Sequence, residues 1–336
     1  MREALFYQRM ERSEVRCLLC RHRCLVPEGG RGICGVRENR GGVLYTLVYE
    51  KLISEAVDPI EKKPLYHFLP GSSAYSIATV GCNFRCDNCQ NFEISQLHKG
   101  GRAIPGRRTA PEAVVESAKM HGCRSIAYTY SEPTVFYEYA LDVARLASKE
   151  GVRNVFVTNG YITDEALKEI SPYLDAANID LKSFNDSFYT QNCGARLDQV
   201  LDTIRSYKRL GIWVELTTLI IPSLNDDPEE LKMIAEFIRG LGSETPWHVS
   251  RFYPMYRLSH LPPTPPETLT KAREIGLEAG LRYVYEGNVP GSGGETTYCP
   301  SCRKPLISRF GYQILENLIK DSRCPGCGAE IDGVWE

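Results

Sequence analysis

A chain of 336 residues is long enough for one large domain with appendages, or for two of moderate size, and for a sizeable buried core. Its 40 Lys and Arg against 42 Asp and Glu leave a formal charge of −2, which excludes a global basic field for nucleic acid or anionic membranes. Thirteen cysteines are too few for a disulfide-dense mini-protein and too many for indifferent core filler, so their spacing has to assign them.

The first seventeen residues mix acids and bases and hold no apolar run fit for a signal peptide. The longest strongly apolar stretch, Leu210 to Pro222, carries Glu215 and falls short of the roughly 18 residues that a membrane span needs. A soluble, cytoplasmic protein without a membrane partner is expected, and in a reducing cytosol clustered thiols read as metal ligands rather than disulfides. Residues 1–70 read as a small N-terminal Cys-rich module. It holds Cys17, Cys20, Cys24 and Cys34, a Gly-rich stretch from Pro27 to Gly42, a strand-like run from Val43 to Tyr49 and a turn-bearing segment from Asp58. Four thiols close a metal site, with His22 between two of them. Their spacing fits neither common zinc fingers nor ferredoxins, which leaves zinc, an iron–sulfur cluster or redox-active thiols open.

From residue 71 to 295 short β-rich runs alternate with longer amphipathic segments. Strands are expected at Tyr75–Val80, Ser125–Tyr130, Asn154–Thr158, Ala176–Leu181, Trp213–Ile221, Trp247–Phe252 and near Arg282–Tyr285. Helices are expected at Pro111–His121, Val135–Glu150, Thr163–Ile170, Leu197–Leu210, Pro228–Arg239 and Pro266–Ala279. Such repetition needs crossovers, so the fold class is α/β: a parallel sheet, closed or partly closed, with helices outside. Residues 296–336 lose that rhythm and carry Cys299-Pro-Ser-Cys302 and Cys324-Pro-Gly-Cys327. Two such knuckles predict a zinc ribbon, with rubredoxin-type iron on the same four thiolates as the rival.

Directly after the first strand of the alternating region stand Cys82, Cys86 and Cys89, a C-x3-C-x2-C triplet. The nearest histidines, His67 and His98, are not at zinc-knuckle spacing. A [4Fe-4S] cube takes four ligands, so three cysteines leave one iron open to something other than protein. An open position at the C-terminal end of a parallel strand is where βα barrels place chemistry. Cys123 and Cys193 are singletons and read as packing.

The triplet in this position resembles the radical S-adenosylmethionine (SAM) enzymes, and the resemblance implies a partial (β/α)6 barrel in which SAM chelates the open iron through its amino and carboxylate groups. Where the superfamily usually carries an aromatic residue before the third cysteine this chain has Asn88, with Phe84 and Phe92 nearby. Tyr130-Ser131-Glu132-Pro133 resembles the Gly-Gly-Glu-Pro segment that contacts the SAM amino group, which implies Glu132 as the ammonium's acceptor. The plain alternative is a helix N-terminus capped by Ser131. At the third strand end Thr158-Asn159-Gly160 reads as a turn by default, with Asn159 pointing into the implied site. Asp180-Leu181-Lys182 resembles the Asp-Leu-Lys segment of glycyl-radical-enzyme activases, which implies contacts to the SAM ribose and carboxylate, the alternative being a surface ion pair. Thr217 on the fifth strand lies where activases tend to carry an SAM-contacting Arg, with Glu215 on the same face. His248 and Phe252 on the sixth are candidates for the adenine end or for barrel packing.

The whole chain resembles the radical SAM member of the AmmeMemoRadiSam system, a relative of pyruvate formate-lyase activating enzymes. The segments that carry this are Cys17 to Cys24, Asp58 to Phe68, Gly81 to Asn91, Val157 to Gly160 and the terminal knuckles. The resemblance implies an enzyme that reductively cleaves SAM at a [4Fe-4S] cluster to a 5′-deoxyadenosyl radical, which abstracts hydrogen from an unidentified substrate. It also implies a reductant such as ferredoxin or flavodoxin, and AMMECR-type and Memo-type partner proteins. Two other readings compete: activation of a glycyl radical enzyme, and a non-catalytic metal-stabilised binding protein.

Overall fold

The computed structural model describes residues 1–96 and 103–336, so His98 lies outside the described residues. Its centre is one eight-stranded sheet: β1 (Ser54–Pro59), β2 (Ser73–Ala78), β3 (Ser125–Tyr128), β4 (Arg153–Thr158), β5 (Ala176–Asp180), β6 (Trp213–Ile220), β7 (Trp247–Arg251) and β8 (Val284–Gly287). The strands lie in sequence order, parallel from β2 to β8, with β1 antiparallel on β2 and β1 and β8 at the two edges. Six helices make the crossovers: α1 (Pro111–Met120), α2 (Tyr137–Lys149), α3 (Asp164–Ile170), α4 (Leu197–Arg209), α5 (Pro228–Leu241) and α6 (Pro266–Glu278). Each of β2 to β7 is followed by one of these six helices. This is the partial (β/α)6 arrangement, finished by the parallel strand β8.

The local chemistry explains these elements. The parallel strands are buried on both faces and read as near-continuous apolar runs such as Ser-Ile-Ala-Tyr in β3. Pro111, Pro228 and Pro266 each open a helix, where a missing N–H costs nothing. Asp227 caps α5 by accepting from the N–H groups of Glu229 and Glu230. The expected helix from Val135 is split: a 3-10 turn, Pro133–Phe136, precedes α2, and Glu132 rather than Ser131 caps it. Ser131 instead donates from Oγ to the Thr79 carbonyl at 2.7 Å.

Residues before the sheet form two small three-stranded sheets, one of which contains Val43–Thr46 within the expected Val43–Tyr49 run. Strand β1 joins the central sheet from the segment read as part of the N-terminal module. Residues near the C-terminus form an antiparallel three-stranded sheet, Thr297–Tyr298, Pro305–Phe310 and Gln313–Asn317. The chain end docks on the barrel through Val334, whose N–H donates to the His67 carbonyl and whose carbonyl accepts from Leu69, both at 2.7 Å. Among the described residues no helix is long and apolar enough to cross a membrane.

Candidate active site

The loop after β2 begins at Gly81, with φ +101. A Cβ there would sit 2.7 Å from Val36 Cγ1 and 3.0 Å from the Cys34 carbonyl oxygen, so glycine is required by both backbone and space. From this pivot Cys82, Cys86 and Cys89 reach the wall of a cavity of about 410 Å³ over the C-terminal ends of the strands. Cys82 Sγ accepts from the Phe84 N–H at 3.3 Å. Burial pushes the Cys82 and Cys89 thiols up. Cys86 goes the other way: a hydrogen bond from Cys193 outweighs burial and lowers it. Cys193 therefore packs behind the loop, where its carbonyl also accepts from the Arg85 N–H at 2.8 Å, and it does not line the cavity.

Ser131, Glu132, Asn159, Asp180, Lys182 and Thr217 line the same cavity as the three cysteines. Lys182 Nζ donates to Asp180 Oδ2 at 2.8 Å. Burial opposes the Lys182 charge, but Asp180 and the neighbouring thiols outweigh it and hold its pKa well above the ordinary lysine range. Glu132 is buried and its oxygens accept from Thr134 N–H (3.0 Å), Thr134 Oγ1 (2.6 Å), Thr158 Oγ1 (2.8 Å) and Asn159 N–H (2.9 Å). A carboxylate offers about four acceptor sites, so protein donors already fill it, and burial raises its pKa. Asn159 Nδ2 donates to Asn83 Oδ1 at 2.8 Å, and Thr217 Oγ1 to Asn178 Oδ1 at 2.9 Å.

His248 and Phe252 do not line the cavity. His248 lies one layer deeper, donating from Nε2 to Glu215 Oε2 at 2.7 Å, with the Tyr66 ring edge-on at 4.8 Å. Glu215 also accepts from the backbone of Tyr66 and His67 and from Trp213 Nε1, so this layer plugs the barrel floor. Phe252 is fully buried packing. Of the two nearby aromatics, Phe84 lines the cavity, edge-on to Tyr161 at 5.1 Å, while Phe92 stacks on Tyr256 at 4.6 Å outside it.

Among the wall residues that sequence reasoning did not assign to the site are Lys62, Lys63, Tyr130 and Tyr312. Lys62, Lys63 and Tyr130 all donate to Asp58, whose carboxyl is placed by β1. The basic pair in Glu-Lys-Lys-Pro was the available signal, but its target is set by pairing across the sheet. Tyr312 arrives from the C-terminal hairpin, some two hundred residues away in sequence from the cysteine loop, and no local pattern marks it.

Three sulfurs on one wall and open space on the other are the donor set that a [4Fe-4S] cluster with one non-protein position requires. Residues 76–238 match the model of the Radical SAM superfamily. An uncharacterised protein of Methanocaldococcus jannaschii is 50% identical over 335 residues, 99% of each chain. The pyruvate formate-lyase 1-activating enzyme of Escherichia coli is 22% identical over 219 residues, 61% of this chain and 89% of that one. The chain belongs to the radical SAM superfamily. Among solved structures, Streptococcus suis SuiB bound to S-adenosylmethionine aligns with TM-score 0.50 at 10% identity, covering 68% of this chain and 53% of that one, which is a likeness of fold.

This radical SAM enzyme has two further cysteine groups. Among the described residues only Cys299, Cys302, Cys324 and Cys327 gather their sulfurs within 4.8 Å of one another, as a single tetrahedral ion demands. The Cys299–Cys327 and Cys302–Cys324 sulfurs lie 3.6 and 3.7 Å apart. Cys17, Cys20, Cys24 and Cys34 surround a separate small cavity behind the loop that carries Cys82.

Proposed function

We propose that this enzyme reductively cleaves SAM to a 5′-deoxyadenosyl radical and aims it at a C–H bond of a substrate within the AmmeMemoRadiSam system. The observation that supports this reading most is the opening of Cys82, Cys86, Cys89 and the Asp180–Lys182 pair onto one cavity. Cys82, Cys86 and Cys89 would hold a [4Fe-4S] cluster, which would supply a single electron drawn from a reductant such as ferredoxin or flavodoxin. The chain's own residues do the positioning. Lys182 offers its ammonium to the SAM carboxylate, and Asp180 keeps that ammonium charged and aimed. Glu132 fixes the loops after β3 and β4 and so holds Asn159 at the wall. The buried floor of Glu215 and His248 closes the barrel against water from below. AMMECR-type and Memo-type proteins are the proposed partners, and zinc the proposed ion of the C-terminal ribbon.

Activation of a glycyl radical enzyme is the second reading, favoured by the similarity to pyruvate formate-lyase 1-activating enzyme. Membership in an enzyme superfamily argues against a purely structural binding protein. Turnover of SAM to 5′-deoxyadenosine in Lys182→Ala tests the assignment of that residue: a KM for SAM raised about tenfold or more, with the cluster retained, supports it, since one charge-assisted hydrogen bond contributes ~1.5–3 kcal/mol. An unchanged KM removes Lys182 from the SAM site. Adding the AMMECR-type and Memo-type proteins, or a glycyl radical enzyme, separates the targets. Stimulated turnover marks the first, and a glycyl radical signal by electron paramagnetic resonance (EPR) marks the second.

A further inference from the structure

We propose that Cys17, Cys20, Cys24 and Cys34 hold a second iron–sulfur cluster, of the four-thiolate [4Fe-4S] class, set directly behind the loop that carries the first. All four cysteines line one small cavity. A zinc tetrathiolate site is closed, its sulfurs touching one ion. The ribbon of the same chain shows that closed geometry, and among the described residues it is the only group of three or more ligands drawn within 4.8 Å. The N-terminal thiols converge on the same space without closing on a point. A cubane places each thiolate on a different iron, so it asks for this wider setting.

The cavity wall also carries a guanidinium whose hydrogen bonds are only partly met. Arg37 is 2% exposed; its Nη2 donates to Glu138 Oε2 at 2.5 Å, while Nε and Nη1 have no hydrogen-bond partner. Leaving two guanidinium nitrogens buried and unpaired is costly, and an anionic, sulfur-rich group in the adjoining cavity supplies the acceptors. Charge alone does not choose between zinc and a cluster, since four thiolates make both anionic. The spacing of the sulfurs makes that choice. A pair of disulfides would offer the unpaired Nε and Nη1 only weak acceptors.

The two cysteine groups share a wall. Asn83 lines the N-terminal cavity, and its Oδ1 lies 3.9 Å from Cys82 Sγ. His22, which also faces the N-terminal cavity, contacts the Asn83 carbonyl through Nε2 at 2.8 Å. On the other side of the loop Gly81 packs against the Cys34 carbonyl. A cluster here is thus one residue removed from the cysteine loop of the active site.

The test is metal and sulfide content of the full chain after anaerobic reconstitution, which does not depend on SAM turnover. In the variant Cys82→Ala/Cys86→Ala/Cys89→Ala, about four iron and four sulfide per chain remain, with an EPR signal after dithionite reduction. Absence of iron from that variant, with a second zinc in its place, overturns the proposal. The complementary variant Cys17→Ser/Cys20→Ser/Cys24→Ser/Cys34→Ser covers a triple variant that fails to fold: iron falls from about eight per chain to about four. Iron unchanged between wild type and this variant overturns it equally. Failure of the SAM reading alone leaves these counts as they are.

Discussion

Glu132 stands in the cavity wall, yet four protein donors occupy its carboxylate. Its replacement orphans two backbone N–H groups and two hydroxyls in a buried place, so Glu132→Ala should lose about 3 kcal/mol or more in urea denaturation, with Glu132→Gln losing less. The residue type and its place after a strand were legible in Ser-Glu-Pro; the four donors were not, because two of them come from the end of β4. His67 carries a pH-dependence of the same origin. Burial lowers its pKa to about 4, and its ring bonds the Asp332 carbonyl and the Tyr285 hydroxyl. The unfolded imidazole takes up its proton near 6.5 and the folded one only near 4, so between those values the unfolded chain binds more protons. Stability should therefore fall by about 3 kcal/mol as pH drops across that window, and His67→Asn should flatten the slope in thermal melts recorded at each pH. Asp58 acts in the same direction at lower pH. Burial opposes its charge, but hydrogen bonds from Lys62, Lys63, Tyr130 and Ser76 hold its carboxyl well below the usual range.

At the scale of elements, βα alternation is a strong local signal, and each expected strand and helix from residue 71 onward has its counterpart within a few residues. What escaped was β1, since Ser-Glu-Ala-Val-Asp-Pro is half-buried, antiparallel and defined only by β2 beside it. The strand-to-loop junction at Gly81 is the element that couples the barrel to the N-terminal module. Gly81→Ala forces a non-glycine residue to positive φ, at about 1–2 kcal/mol, and drives its Cβ into Val36 and the Cys34 carbonyl. The loop must shift, so iron bound by the Cys82 loop should fall well below wild type while metal in the ribbon is kept. Equal iron loading in Gly81→Ala would show that the junction tolerates displacement.

Over the whole molecule, the modules at both ends are part of the barrel's architecture. The N-terminal segment supplies Lys62 and Lys63 to the cavity and Asp58 to hold them, while the C-terminal residues supply Tyr312 to the cavity and pair Val334 with His67 and Leu69. Arg309 of the ribbon is buried and donates to the Tyr66 carbonyl at 2.9 Å, beside the His248–Glu215 floor. Deleting residues 296–336 should thus remove one metal ion and also lower the melting temperature of the barrel, whereas an independent appendage would leave the barrel's transition unchanged. The cysteine triplet made the chemistry legible in the sequence because these three ligands are close in the chain and of one type. The rest of the cavity wall was not, because its residues are assembled from both ends of the chain. Under the proposed function Cys82, Cys86 and Cys89 support reductive cleavage of SAM. Its most direct test is anaerobically reconstituted protein incubated with dithionite and SAM, with 5′-deoxyadenosine followed by chromatography. Wild type should form it and Cys86→Ala should form none above background; equal yields, or none from either, would mean that the triplet does not support this cleavage.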